Sequence, residues 1–223
     1  MISVEQASKI ISKNTQLPNK SIDINLIYAL SYVLFEDVHS PINMPPFRQS
    51  AMDGYALHLH DAKTYSLIGE IKAGDAHQLH LKPGDAVRIF TGAPVPDSAN
   101  AVVIQEKTSS QNHTLRIESN VVKNENIRPI GEQVLEGHIA LKKGVKLTAA
   151  AIAYLTTLGI TQVKVYKKPS IAIVVTGNEL VKAGNNLQYG QIYESNAIML
   201  ISALKQAGYS NISTHIVSDH YEK

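Results

Sequence analysis

The spacing of hydrophobic residues changes along the chain, beginning with a helical pattern. Residues 4–14 place apolar side chains at helical spacing behind a capping box, which predicts a short amphipathic helix. Asn25 is predicted to cap a second helix. Ile27, Leu30 and Leu34 would line one face of that helix. Both helices are interpreted as structural elements.

From residue 55 to about residue 139, the pattern changes to short alternating runs separated by turn signals. Strands this short and this evenly spaced predict a small all-β module. Thr148 is then expected to cap an alanine-rich helix that ends at Gly159. Residues 161–166 are expected to form a strand after it.

After a Lys-Lys-Pro linker, the sequence becomes typical of a parallel α/β sheet. Residues 171–175 are a continuous β-branched run, as expected for a strand that is covered on both faces. A helix is predicted to begin at Ser195 or Asn196 and to end at Gly208. Residues 211–217 are predicted to form the next strand, which completes one βαβ unit.

These patterns predict a multidomain α/β protein. Residues 1–40 and 139–168 are predicted to form an elongated domain of helices and strands, and residues 41–138 an inserted all-β module. Residues 169–223 would be the first part of a parallel α/β domain. Two parallel strands cannot cover their own faces and edges, so this third domain is expected to be truncated.

Composition excludes several classes of protein. The 223 residues carry a net charge of +2 without a long basic run, so no nucleic-acid partner is expected. No apolar run is long enough to span a membrane, and the amino terminus lacks a signal-peptide pattern. The lack of cysteine excludes disulfides, iron–sulfur clusters and thiolate catalysis. A cytoplasmic protein with no membrane partner is expected.

The first stretch with candidate chemistry is P-P-F-R-Q-S-A-M-D-G-Y-A, residues 45–56. Its prolines predict an extended, non-helical entry. Gly54 is expected to let the backbone turn tightly, so that the Asp53 carboxylate projects from the loop. Ser50 adds a hydroxyl close by. An isolated Asp-Gly pair is usually only a turn, but the surrounding residues favour a site here.

The second stretch is T-G-A-P-V-P, which follows a predicted strand. Thr91 offers a hydroxyl at the end of that strand, and Gly92 would let a ligand approach the main chain. On its own this stretch is more often a stiff loop, but beside the first stretch it is interpreted as the second wall of a pocket. Gln105 and Glu106 could add polar groups to the rim, although a solvated strand end is the equal alternative.

The α/β region places further polar residues where parallel sheets bind ligands. Glu179 and Asp219 follow consecutive strands at their carboxyl ends, and two carboxylates there would suit Mg²⁺. The helix start at Ser195 and Asn196 adds backbone N–H groups that favour an anion. In the β module, Arg128 is a candidate phosphate contact, although a surface arginine is the default interpretation.

Four linked motifs resemble the molybdopterin molybdenumtransferase family, which includes MoeA and the E domain of gephyrin. They are S-A-M-D-G-Y-A at Ser50, T-G-A-P-V-P at Thr91, T-G-N-E-L at Thr176 and G-Q-I-Y-E-S-N at Gly190. The resemblance covers the whole chain and implies a MogA-like, molybdopterin-binding α/β domain. Family members are distinctly longer, so a C-terminally truncated member is expected.

The resemblance implies a role in molybdenum cofactor biosynthesis. The implied reaction is Mg²⁺-dependent insertion of molybdate into adenylylated molybdopterin, with release of AMP. Asp53, Glu179 and Asp219 would be catalytic, and Glu179 and Asp219 would bind the metal. The implied substrate contacts are Ser50, Thr91, Gly92, Arg128, Ser195 and Asn196. Family members are homodimers, which would bring Asp53 of one copy to Glu179 of the other. The alternative is a non-catalytic molybdopterin-binding or scaffolding protein, because a fold does not fix a function.

Overall fold

The computed structural model describes residues 2–16, 19–76 and 79–217. The described residues of Met1–Asp37 and Lys142–Lys223 form one compact unit, and Val38–Leu141 form another. Both contain strands, and the α-helices among the described residues lie in the first unit, so the chain is a mixed α/β protein, as predicted. The separate domain that was expected to begin at residue 169 stays a prediction.

The helices and strands have the following bounds. The helices are α1 (Val4–Asn14), α2 (Ala149–Thr157) and α3 (Asn196–Gln206). The strands are β1 (Ser21–Asn25), β2 (Val38–His39), β3 (Gln49–Ser50), β4 (Gly54–Leu57), β5 (Thr64–Ile71), β6 (Asp85–Ile89), β7 (Ala101–Ile104), β8 (Thr108–Gln111), β9 (Thr114–Ile117), β10 (Ile127–Arg128), β11 (Ile139–Leu141), β12 (Gln162–Tyr166), β13 (Ile171–Thr176), β14 (Leu180–Val181), β15 (Ile192–Tyr193) and β16 (Ile212–Val217). None of the helices in the described part of the chain could cross a membrane.

The unit Val38–Leu141 is built on a six-stranded sheet with the order β7-β4-β6-β5-β9-β8. Its neighbouring strands are antiparallel except for β5 and β6, which are parallel. The short alternating runs of the sequence therefore form strands of one sheet, and the predicted bounds of the all-β module, residues 41–138, stay a prediction. The strand β4 lies inside the sheet, between β6 and β7.

Both faces of this sheet are covered by apolar side chains. Ala56 belongs to one buried cluster and its neighbour Leu57 to another. On β7, Val102 belongs to the cluster of Ala56 and Val103 to the cluster of Leu57, because successive residues of a strand point to opposite faces. Packing on both faces fixes the register of β4, since a slip of one residue would exchange its two sets of side chains.

In the other unit, three of the four predicted helices form, as α1, α2 and α3. The Ser3 hydroxyl accepts a hydrogen bond from the backbone N–H of Gln6 at 3.2 Å, and the Gln6 side chain accepts one from the Ser3 backbone N–H at 2.9 Å. This confirms the capping box of α1. Thr148 caps α2 through a hydrogen bond of 3.2 Å from the Ala151 N–H. After α2, β12 pairs antiparallel with β1.

The second predicted helix is wrong, because only one 3₁₀ turn, Leu26–Tyr28, forms there. Asn25 does cap this turn, by accepting a hydrogen bond from Ile27 N–H at 3.1 Å. Ser31 then adopts a φ of 64°, which ends the helical path. The backbone N–H of Leu34 donates to the carbonyl of Val145 at 3.0 Å, so this residue pairs with a distant segment instead of continuing a helix.

The predicted βαβ unit is confirmed, because β13 and β16 are parallel neighbours and α3 lies between them in the chain. Ile173 and Val175 of β13 are buried against α3 residues such as Ala197. The expected cover on both faces is not found among the described residues, since the intervening Val174 is 60% exposed. Asp219 lies outside the described residues.

Candidate functional site

The register of the β sheet brings two separate motifs together at one end of β4. Gly54 at the start of β4 pairs with Ile89 at the end of β6, because the two strands are antiparallel. Asp53 immediately precedes β4, and Thr91 follows β6 by two residues. The same end of β4 also meets the end of β7, where the Gln105 backbone N–H donates to the Asp53 carbonyl at 3.1 Å.

The Asp53 carboxylate is held by Thr91 through one of its two oxygens. Asp53 Oδ1 accepts a hydrogen bond from the Thr91 backbone N–H at 2.7 Å and another from the Thr91 hydroxyl at 2.8 Å. These bonds, the backbone one first, lower the pKa of Asp53 from its usual value, and the positive charge of Arg88 adds to the effect. Asp53 is exposed, and its Oδ2 accepts no hydrogen bond from the described residues. It is therefore an oriented anion with one oxygen open to a ligand.

Gly54 has a different role from the one predicted. Its φ is not positive, so it does not supply a tight turn. Instead, a Cβ at this position would lie 1.9 Å from the carbonyl oxygen of Val103 on β7. The glycine is required because the neighbouring strand approaches too closely for any side chain.

Arg88 is a component of the site that sequence reasoning missed. Its guanidinium lies 5.0 Å from the ring centroid of Tyr55 and 5.1 Å from that of Phe90. It donates hydrogen bonds to the Gly54 carbonyl at 3.3 Å and to the Gln105 side-chain oxygen at 2.5 Å. The sequence signal was an arginine within the otherwise apolar run of residues 86–90, three positions before the threonine of the second motif.

Gln105 and Glu106 are exposed beside Arg88, and their place in the rim of a ligand pocket stays a prediction. The Gln105 amide donates to the Glu106 carboxylate at 3.2 Å while its oxygen accepts from Arg88. A chain of hydrogen bonds therefore runs from Arg88 through Gln105 to Glu106, across the strand ends on this side of the sheet. It places a second exposed carboxylate beyond the first, on the same 3₁₀ turn that follows β7.

The other predicted contacts of this unit lie in the supporting loops. Ser50 is buried, and its hydroxyl donates to the Met52 carbonyl at 2.7 Å, so it shapes the loop that carries Asp53. Gly92 has a φ of 84°, and its N–H donates to the Ser50 carbonyl at 2.9 Å. Arg128 is exposed on β10, which pairs with β3. Substrate contact by these residues stays a prediction.

In the other unit, Glu179 lies in the loop that follows the carboxyl end of β13. It is exposed, and its carboxylate makes no hydrogen bond or ion pair with the described residues. Gly177 has a φ of 146°, and a Cβ there would lie 2.9 Å from both Glu179 carboxylate oxygens. The glycine thus leaves room for the carboxylate to fold back over the loop.

The start of α3 is capped differently from the prediction. Ser195 occupies the N-cap position but makes no side-chain capping hydrogen bond, and Asn196 is the first helical residue. The buried Glu194 carboxylate accepts the hydrogen bond from the Ala197 N–H at 2.7 Å instead. One of the backbone donors that the sequence offered to an external anion is therefore already occupied.

A compact protein-only metal cage is not part of the described structure. The described residues contain no group of three or more His, Cys, Asp or Glu side chains that could hold a metal ion. Mg²⁺ commonly binds to one or two carboxylates and completes its shell with water and substrate phosphates. Asp53 and Glu179, in different units, each present an exposed carboxylate. Metal binding by Glu179 and Asp219 stays a prediction, and Asp219 lies outside the described residues.

Comparison with known proteins gives matches along the whole chain. Residues 2–159 match the family described as the MoeA N-terminal region, domains I and II, and residues 172–223 match a probable molybdopterin-binding domain. The chain is 36% identical over 224 residues to a molybdopterin molybdenumtransferase from Haemophilus influenzae. It is 34% identical over 230 residues to one from Staphylococcus epidermidis. These alignments cover 99% and 100% of this chain, respectively, and 55% of each relative.

The fold matches as well. The crystal structure of the molybdopterin biosynthesis MoeA protein from Pyrococcus horikoshii OT3 aligns with a TM-score of 0.87 at 28% identity. That alignment covers 100% of this chain and 61% of the other. The chain therefore spans little more than half the length of the relatives that it matches.

Proposed function

Because the chain belongs to the molybdopterin molybdenumtransferase (MoeA) family, we propose that it acts in molybdenum cofactor biosynthesis by inserting molybdate into adenylylated molybdopterin with release of AMP. The observation that supports this most directly is the oriented carboxylate of Asp53. One oxygen is fixed by Thr91 at 2.7 Å and 2.8 Å, and the other is open. An ionised, pre-oriented oxygen is suited to hold a metal ion or a water beside a phosphoanhydride.

The residues around Asp53 have complementary roles in the proposed reaction. Arg88 supplies a fixed positive charge next to Asp53, which favours the approach of a phosphorylated anion. Thr91 keeps Asp53 ionised by donating to its charged form. Asp53 and Glu179 would hold Mg²⁺, since both present open carboxylate oxygens. When bound, Mg²⁺ would neutralise negative charge on the phosphates.

We further propose that the complete site is shared between two copies of the chain. Asp53 and Glu179 belong to different compact units, and two carboxylates would hold Mg²⁺ more firmly than either one alone. In a homodimer, Asp53 of one copy would face Glu179 of the other. A symmetric dimer would then contain two equivalent sites, each made from both chains.

The test is the molybdate-dependent release of AMP from adenylylated molybdopterin. Asp53→Asn keeps the size of the side chain and an oxygen that can accept from Thr91, so it removes the charge without removing the loop's hydrogen bonds. We expect it to lower turnover by about a hundredfold or more. The control is Asp61→Asn, an exposed position of the same unit, which should retain wild-type turnover. Wild-type turnover in Asp53→Asn would remove Asp53 from the mechanism, and substrate binding without turnover by the unaltered chain would favour the scaffolding alternative.

The same assay tests the shared site. Asp53→Asn and Glu179→Gln chains are each expected to be inactive alone. Mixed at equal amounts, random pairing should give half heterodimers with one intact site each, and so about a quarter of wild-type activity. If heterodimers form but no activity returns, the two carboxylates do not act across the dimer.

A further inference from the structure

The unit formed by the described residues of Met1–Asp37 and Lys142–Lys223 contains a cavity with a volume of about 470 Å³. This volume falls within the range of about 300–1,000 Å³ that is usual for small-molecule sites. Tyrosines and lysines dominate its walls. They are Tyr32, Tyr166, Tyr209, Lys146, Lys167 and Lys168. No carboxylate from the described part of the chain lines it.

Lys168 is the best-defined cation of this cavity. Its ammonium donates a hydrogen bond to the Gly208 carbonyl at 2.6 Å, just after α3. It also lies 4.0 Å from the ring centroid of Tyr32 and 6.0 Å from that of Tyr209. An ammonium group has three donors, and these contacts orient it while leaving donor capacity unused. The side chain is therefore held in place at the cavity wall.

The charge of Lys168 is not balanced by any described acidic residue. It forms no ion pair within residues 2–16, 19–76 and 79–217. Burial lowers the pKa of Lys168, and repulsion from the nearby Lys146 lowers it further. Partly buried cations are normally paired, because removing a charge from water without a partner is costly. An anion bound between the ammonium groups of Lys168 and the exposed Lys146 would supply the missing negative charge.

We propose that this cavity binds a phosphorylated aromatic compound. The doubly charged phosphate would lie against Lys146 and Lys168, and the flat ring would pack against the tyrosine side chains. The two halves of the ligand thereby match the two kinds of side chain in the wall. This binding does not depend on the molybdate-inserting reaction.

The probe is phenyl phosphate, titrated into the chain while backbone amide signals are followed by NMR. We expect saturable shifts centred on Lys168, Gly208 and Tyr209, with a dissociation constant of about 1 mM or tighter. Inorganic phosphate and phenol should each bind at least about tenfold more weakly, since each lacks one half of the recognised group. The absence of saturable shifts at about 10 mM, or shifts that map to the Asp53 loop instead, would overturn the proposal.

Variants of the cavity lysines provide a second test of the proposed phosphate binding. Lys168→Met retains the aliphatic chain and removes the charge, and it should weaken phenyl phosphate binding about tenfold or more. Lys168→Arg should preserve binding, and Lys205→Met, an exposed position of α3 outside the cavity lining, should leave it unchanged. If Lys168→Met does not fold, Lys146→Met replaces it, because Lys146 is exposed. Unchanged affinity in the folded variant would exclude recognition of the phosphate by these lysines.

Discussion

Replacing Gly54 with alanine tests how the fold positions Asp53. A Cβ at this position would lie 1.9 Å from the Val103 carbonyl oxygen and 3.0 Å from Ile104 Cα. Cβ atoms essentially never approach other heavy atoms within 3.0 Å, so β4 and β7 must separate by about 1.1 Å (3.0 − 1.9). The obstacle is backbone on an inner strand, and it cannot be relieved by rotating a side chain.

The expected cost follows from this forced separation. Overpacking a well-packed site costs typically about 1–3 kcal/mol, and each weakened ladder hydrogen bond adds about 1 kcal/mol. We expect Gly54→Ala to lower the free energy of unfolding by about 3 kcal/mol. For a chain of this size, that corresponds to a decrease in Tm of about 6–12 °C. A shift of β4 away from β7 is a shift toward β6, so it would also disturb the hydrogen bonds between Asp53 and Thr91.

Calorimetry and urea unfolding followed by far-UV circular dichroism measure this effect. The matched control is Gly69→Ala in β5 of the same sheet, where a Cβ would meet only the flexible Leu79 side chain at 3.1 Å. That substitution should change the free energy of unfolding by less than about 1 kcal/mol. If Gly54→Ala proves as stable as Gly69→Ala, the close approach of β7 does not explain the glycine.

Two further predictions concern hydrogen bonds to carboxylates. Thr91→Val removes the hydroxyl donor but keeps the backbone N–H, so the pKa of Asp53 should rise toward its usual value in an NMR titration of the carboxyl carbon. The folded-state pKa of Asp53 is depressed, so the ionised carboxylate stabilises the folded state. This stabilisation is complete above the unfolded-state pKa and is lost as the pH falls through the folded-state pKa. The Tm difference between wild type and variant should therefore shrink in acid, and an unchanged titration would contradict the role of the hydroxyl. Glu194→Ala removes the cap on Ala197 N–H and should lower the free energy of unfolding in urea by about 1 kcal/mol. Ser195→Ala removes no capping bond and should leave it nearly unchanged. A larger loss in Ser195→Ala than in Glu194→Ala would contradict this assignment.

The sequence alone determined the local structure of much of this protein. Capping boxes, hydrophobic spacing and glycine stops act within a few residues, so the bounds of α1, α2 and α3 could be predicted closely. The same local patterns identified an all-β module and a parallel βαβ unit. They also identified Asp53 and Thr91 as candidates, because a carboxylate and a hydroxyl in stiff loops have few structural reasons to be there.

Only the tertiary structure decided which of these groups meet. Strand register joins Asp53 to Thr91 and draws Arg88 into their surroundings, and register depends on packing both faces of the sheet at once. A long-range backbone hydrogen bond also overrode the local helical pattern at Leu34, whose N–H donates to the Val145 carbonyl where a helix was predicted. The requirement for glycine at position 54 also comes from a neighbouring strand, because a Cβ there would lie 1.9 Å from the Val103 carbonyl oxygen. Such contacts join residues far apart in the chain, so spacing along the sequence does not encode them.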